Sequence, residues 1–171
     1  MKDKDIENKD NRSNQIEATD QMPGENPPPF SLATHGDPSG GRQDAELEPG
    51  PGNWITTNES MSPEAAAYQS HVSGRPANHS YQIGKTKYDG FKDGKLLEAK
   101  SGLLNMVDPE TGRFRRWFSG RDQMISQGHR QKAMANGYPL EWHFQLAPVA
   151  EATKKEFQND GLNIPVIHNP N

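Results

Sequence analysis

The chain has 171 residues, of which 30% are hydrophobic, with 14 prolines, 16 glycines and no cysteine. That length sets a prior of one domain, and the lack of cysteine excludes a disulfide framework while leaving the compartment open. Charge divides the chain: residues 1–60 hold 5 Lys/Arg against 12 Asp/Glu and residues 61–171 hold 14 against 11, so a net −4 conceals a mildly basic domain behind an acidic tail.

Residues 1–53 read as a disordered, acidic, Pro/Gly-rich linker. Lys–Asp alternation gives way to Pro-Gly-Glu-Asn-Pro-Pro-Pro from Pro23, and later to Pro49-Gly50-Pro51-Gly52. With few large apolar side chains, nothing offsets the entropy cost of ordering this segment. Three uses stay open: a passive tether, a segment recognised by secretion machinery or a chaperone, and an acidic strand that occupies the basic face of its own domain. The first twenty or so residues are charged and lack the apolar core of a signal peptide. No apolar run approaches the ~20 residues of a membrane span, so no membrane partner is expected.

From Ser62 the character changes. Ser62 suits a helix N-cap, Pro63 the first helical position and Gly74 the stop, while Ala65, Tyr68, Gln69 and Val72 recur at helical spacing. Residues 80–83 follow as a short strand. Next comes Lys87-Tyr88-Asp89-Gly90-Phe91-Lys92-Asp93-Gly94-Lys95-Leu96-Leu97-Glu98-Ala99-Lys100. Asp-Gly between two apolar-containing runs signals a two-residue hairpin loop, because both loop residues need positive φ. Counting outward from Asp93-Gly94 sets Lys92 against Lys95, Phe91 against Leu96, Gly90 against Leu97 and Asp89 against Glu98, with Lys87 and Lys100 further along the same face. Two carboxylates about 5 Å apart repel by roughly 3 kcal/mol at an effective dielectric near 20. A divalent cation between them reverses that sign, and acid, acid and lysine around a hard metal suit phosphodiester hydrolysis. A solvated hairpin face, on which the lysines balance the acids, is the competing account.

Ser101-Gly102 break the second arm, residues 103–107 read as strand or loop, and Asp108-Pro109-Glu110-Thr111-Gly112 read as a turn. Arg113-Phe114-Arg115-Arg116-Trp117-Phe118 interleave basic and aromatic residues, fit either to hold phosphates and stack bases or to form a half-buried strand with Phe114 inward. A helix is expected over 120–136. Met124, Gln127, Gly128, Gln131, Met134 and Ala135 lie on one face, with Arg121, Arg130 and Lys132 outside it. Two glutamines on an apolar face call for partners, unless the helix is rotated toward solvent. Residues 139–146 read as a strand and Pro148 starts a helix that stops at Gly161. A last strand over 162–167 belongs at an edge because of Pro165. The six histidines, His143 and His168 among them, show no zinc spacing. No Gly-rich phosphate loop or nucleophile elbow appears, which argues against a kinase, NTPase or serine hydrolase.

Asp89, followed after the hairpin by Glu98-Ala99-Lys100, resembles the D…ExK signature of the PD-(D/E)XK phosphodiesterase superfamily. The blocks Met61-Ser62, Ala67-Tyr68-Gln69, Val72 to Gly74, Tyr88-Asp89-Gly90-Phe91, Leu96 to Gly102, the segment around Gln127 and Gln131, and residues 139–144 are similar to the restriction endonuclease fold toxin 5 family. The similarity extends over about residues 54–170, and Tyr88 stands where the family usually has Phe.

The resemblance implies an α/β fold with a restriction-endonuclease-like α-β-β-β-α-β core over 54–171, a mixed sheet flanked by helices. It implies an Mg²⁺-dependent (or Mn²⁺-dependent) endodeoxyribonuclease toxin, delivered without a signal peptide into competitor cells by a contact-dependent system such as type VI secretion. A cognate immunity protein would restrain it in the producer. Asp89, Glu98 and the Ala99 carbonyl would hold the metal, Lys100 would position or activate water, and Gln127 and Gln131 would orient the water or a phosphate. Arg113, Arg115, Arg116, Arg121 and Arg130 would hold DNA. Glu64 either favours the helix dipole or lends a third carboxylate, as in some relatives. An RNase on the same scaffold and a non-catalytic nucleic-acid-binding or adaptor domain are the alternatives.

Overall fold

A computed structural model describes residues 48–171. The acidic segment as far as residue 47, with the linker uses expected of it, lies outside the described residues. The elements run β1 (Asn53–Thr56), α1 (Pro63–Ser73), β2 (His79–Ile83), β3 (Thr86–Tyr88), β4 (Gly90–Lys92), β5 (Lys95–Lys100), a 3₁₀ turn (Leu104–Met106), β6 (Val107–Asp108), β7 (Arg113–Phe114), α2 (Gly120–Met134), β8 (Leu140–Phe144), α3 (Ala147–Asp160) and β9 (Val166–His168). They form a mixed α/β fold of the restriction-endonuclease type. Its central sheet has the order β4-β5-β8-β9, beside a three-stranded sheet β1-β2-β3 and a small β6-β7 hairpin.

β4 is antiparallel to β5, whereas β5, β8 and β9 run parallel. Parallel neighbours require crossovers, and α2 and α3 supply them in turn. Side chains on β5 alternate between the sheet's two faces. Leu97 and Ala99 meet Tyr68 and Val72 of α1 on one face. Leu96 joins Trp142, Phe144 and Phe157 in the main core on the other. The strand is covered on both sides, and its C-terminal end is where the acid and the lysine of the ExK run project.

α1 forms as its sequence dictates. The Ser62 hydroxyl accepts from the Ala65 N–H at 3.2 Å, Pro63 opens the helix, and Gly74 at φ 71° closes it by donating to the Ser70 carbonyl. The hairpin loop is also as expected, with Asp93 at φ 52° and Gly94 at φ 72° and the register Lys92–Lys95, Phe91–Leu96, Gly90–Leu97.

Two local expectations are corrected. Asp89 does not oppose Glu98 in the ladder, because it occupies the bend where the chain passes from β3 in one sheet to β4 in another. For the same reason Lys87 pairs with Gln82 on β2 and not with Lys100. The packed part also begins earlier than composition suggests. The Gly52 N–H donates to the Tyr81 hydroxyl at 2.8 Å, and a Cβ at Gly50 would meet that hydroxyl at 2.4 Å and the Phe91 ring at 2.5 Å. Gly50 and Gly52, read as linker signals, sit where a side chain would not fit: Gly50 lies on aromatic side chains and Gly52 on the backbone of Gln82.

Candidate active site

Asp89, Glu98, Ala99 and Lys100 line one cleft of about 510 Å³, together with Gln127 of α2, Gln69 and Ala65 of α1, and Glu59, Lys87 and Leu103. Asp89 reaches it from the bend. Its Oδ2 accepts from the Ala99 N–H at 2.8 Å, taking the place that a β4 carbonyl would fill if the ladder continued. Backbone groups of alternate β-strand residues point to opposite neighbours. The Leu96 N–H and the Lys100 carbonyl bond on the β8 side. The Ala99 carbonyl therefore faces the same side as the Asp89 carboxylate.

Glu98 is on the α2 side of β5 and is only 3% exposed. A buried carboxylate is tolerated only with partners, and here three nitrogens converge on it. Lys100 Nζ lies 2.5 Å from Oε1, Gln127 Nε2 donates to the same oxygen at 2.7 Å, and Gln131 Nε2 donates to Oε2 at 2.6 Å. Lys100 Nζ also reaches Gln127 Oε1 at 3.2 Å and stands 5.1 Å from the centre of the Trp142 ring.

Gln131 is the hinge of this network. Its side-chain oxygen accepts from the Trp142 indole N–H at 2.9 Å, its nitrogen also donates to the Lys87 carbonyl at 3.1 Å, and its own carbonyl accepts from the Tyr88 hydroxyl at 2.7 Å. An indole nitrogen can only donate. Trp142 therefore turns the Gln131 oxygen toward itself and leaves the amide nitrogen for Glu98. The two glutamines thus bond the Glu98 carboxylate directly. Trp142 and Tyr88 are participants that the sequence did not reveal: each reads as an ordinary core aromatic until the fold sets it beside Gln131.

The charges are unequal in setting. Burial pushes the Asp89 carboxyl up to about 8 from 3.8, and the neighbouring Glu98 adds to this against the opposing pull of Lys100 and the Ala99 N–H. For Lys100, burial works against the ammonium, but Glu98 and Asp89 outweigh it and the net shift is upward. Two carboxylates in one cleft, with the Lys100 ammonium bonded to Glu98, fit a hard divalent cation. Such ions take one or two carboxylates plus further oxygens. Among the described residues no three His, Asp or Glu side chains are grouped as a metal cluster, so Asp89, Glu98 and the Ala99 carbonyl are the oxygen set on offer.

Glu64 is exposed in the first turn of α1 and does not line the cleft. The further acid there is Glu59, in an ion pair with Lys87 at 2.6 Å. The five arginines are dispersed. Arg130 shares a groove of about 480 Å³ with Gln127, whereas Arg121 is engaged by Asp122 at 3.0 Å. Arg113 and Arg116 are exposed, and Arg115 donates from Nε to the Asn105 carbonyl at 3.1 Å. None of the five lines the main cleft. His143 contacts Glu141 at 3.3 Å and Asn169 at 3.4 Å, away from Asp89 and Glu98, and His168 is exposed on the edge strand β9.

Two carboxylates and a lysine gathered at the end of a parallel strand, on the floor of an open cleft, define an α/β domain of the restriction-endonuclease type. Residues 65–146 match the model of the restriction endonuclease fold toxin 5 family. The matched segment runs from α1 to the end of β8 and contains Asp89, Glu98, Lys100, Gln127, Gln131 and Trp142. No curated protein matches the chain.

Proposed function

We propose that this protein is a metal-dependent endonuclease toxin that hydrolyses phosphodiester bonds in DNA. The observation that carries the reading is the convergence of Asp89, Glu98 and Lys100 on one open cleft, with Glu98 fixed by Gln127 and Gln131. Asp89, Glu98 and the Ala99 carbonyl would hold Mg²⁺ or Mn²⁺, which when bound supplies an activated water and neutralises charge on the phosphate. Lys100, bonded to Glu98, brings a positive charge to that site. Its ammonium positions the water and stabilises the negative charge that develops on the phosphate oxygens. Glu98 is kept in one orientation by its three nitrogen donors, so its oxygen needs little rearrangement when the substrate arrives. Hydrolysis adds the water oxygen to phosphorus, breaks one phosphorus–oxygen ester bond, and leaves a hydroxyl on one product and a phosphate monoester on the other.

Arg130, beside Gln127, and the exposed Arg113 and Arg116 supply charge for the phosphate backbone. Affinity should therefore fall as salt rises. In the setting the family name suggests, a cognate immunity protein would restrain the activity in the producing cell, and the chain would reach competitors through a contact-dependent secretion system.

The test is incubation of the full chain with supercoiled plasmid and, separately, with total RNA in Mg²⁺. Plasmid nicking that Lys100→Met abolishes supports the reading. Degradation of RNA alone assigns the same chemistry to an RNase, and cleavage of neither leaves a binding or adaptor role.

A further inference from the structure

Beyond the cleft, two of the large apolar side chains left in solvent, Leu104, 52% exposed, and Trp117, 68% exposed, belong to neighbouring segments that Arg115 ties together. Apolar groups presented together and bordered by charge mark an interaction surface. Their presentation is built. Gly102 at φ 67° and Leu103 at φ 68° are consecutive left-handed residues directly after the catalytic strand. The left-handed region is unfavourable for leucine, and a strained backbone of this kind is characteristic of functional sites. The twist turns Leu103 onto the core and into the cleft lining, and leaves Leu104 outside.

Trp117 is held just as firmly. Phe114 is buried and Phe118 packs on the core, with ring centroids 5.3 Å apart. The Phe118 N–H donates to the Arg115 carbonyl at 3.0 Å, closing the turn that carries Trp117 between them. Arg115 joins the two loops, donating from its backbone N–H to the Met106 carbonyl at 2.8 Å and from Nε to the Asn105 carbonyl at 3.1 Å. The backbone that carries Trp117 is therefore tied to the loop whose first residue, Leu103, lines the cleft. Arg113 and Arg116 are exposed alongside it in sequence, and an exposed aromatic face with neighbouring arginines complements a polyanion that carries flat rings.

We propose that Trp117 and Leu104 form a base-contacting platform at the edge of the cleft, and that the preferred substrate is nucleic acid with unpaired bases, as single strands or locally opened duplex. The inference rests on the nuclease reading above, since it names the substrate class of that same site. An intact duplex keeps its bases stacked inward and offers the indole nothing but backbone. An unpaired base can lie flat on Trp117 while the arginines hold its flanking phosphates.

The test is a fluorescence titration of the full chain in chelator, so that binding is read without cleavage. Trp142 is fully buried and Trp54 is partly buried beneath Arg75, so the red-shifted, solvent-exposed emission reports Trp117. A single-stranded oligonucleotide should quench that emission and a blunt duplex of the same sequence should leave most of it. Trp117→Ala should weaken single-strand binding about tenfold or more, the size of one base–aromatic stack. Trp117→Phe should restore most of the loss, and an unchanged melting temperature shows that the fold is intact. Equal affinity of wild type and Trp117→Ala for the single strand would overturn the platform while leaving cleavage of plasmid untouched. Failure of the wild type to bind any oligonucleotide would overturn the platform and the nuclease reading together.

Discussion

Asp89 and Glu98 reach the same cleft by different routes, and the difference controls how each responds to solution conditions. Glu98 accepts from three nitrogen donors. Asp89 has one backbone donor and a carboxyl pushed up to about 8 from 3.8, chiefly by burial. A carboxyl whose pKa is raised on folding favours the protonated native state. Its contribution is complete below the unfolded value and is lost as pH rises through the folded one. Protein in chelator should accordingly show an unfolding temperature that falls between roughly pH 4 and 8, and Asp89→Asn should flatten that slope. A wild-type profile that is flat, or that rises across this window, would contradict the assigned environment. Gln131→Leu removes the acceptor of a buried indole N–H and a donor to a buried carboxylate. The expected cost is about 1–3 kcal/mol for each group left unsatisfied. On the proposed function, turnover should fall about 10–100-fold, because the residue holds Glu98, the proposed metal ligand. Thermal melting and steady-state kinetics of the one variant check both figures.

The elements show which parts of the sequence were readable and why. α1 and the hairpin loop are fixed by local chemistry, a capping serine, an N-terminal proline and glycines or an aspartate at positive φ, and their positions were legible. Ser62→Ala should therefore destabilise the protein by about 1 kcal/mol in chemical denaturation. The strand break at Asp89 was not legible, since it arises from a switch between two sheets that no local pattern announces. Nor was β1, a four-residue strand whose pairing of Trp54 with Tyr81 depends entirely on tertiary context. At Gly90 α1 packs tightly on the β4–β5 hairpin: a Cβ there would meet Ser73 Cβ at 2.8 Å and its Cα at 3.1 Å. Gly90→Ala should cost about 1–3 kcal/mol by overpacking, and it should also impair activity because Asp89 is the adjoining residue. A variant as stable and as active as wild type would show that α1 yields freely.

Across the whole molecule, the separation of an acidic first third from a basic remainder was plain from charge alone. The candidate acids and the lysine were legible from the ExK run. The polar network that organises them was not, because Trp142 lies 42 positions beyond Lys100 and meets the site only through the parallel pairing of β5 with β8. What the fold adds to the motif is an arrangement in which Gln131 holds one oxygen of Glu98 while the other bonds Gln127 and Lys100, which line the cleft with it. No helix among the described residues is long and apolar enough to cross a membrane.

The most direct measurement is cleavage of supercoiled plasmid by the full chain, with and without chelator, beside Asp89→Asn and Lys100→Met proteins whose folding has been verified. Nicking or linearisation in Mg²⁺ that chelator stops, and that each substitution lowers by at least about a hundredfold, is the expected result. Cleavage that persists in chelator, or that both substituted proteins carry out at the wild-type rate, would contradict the account.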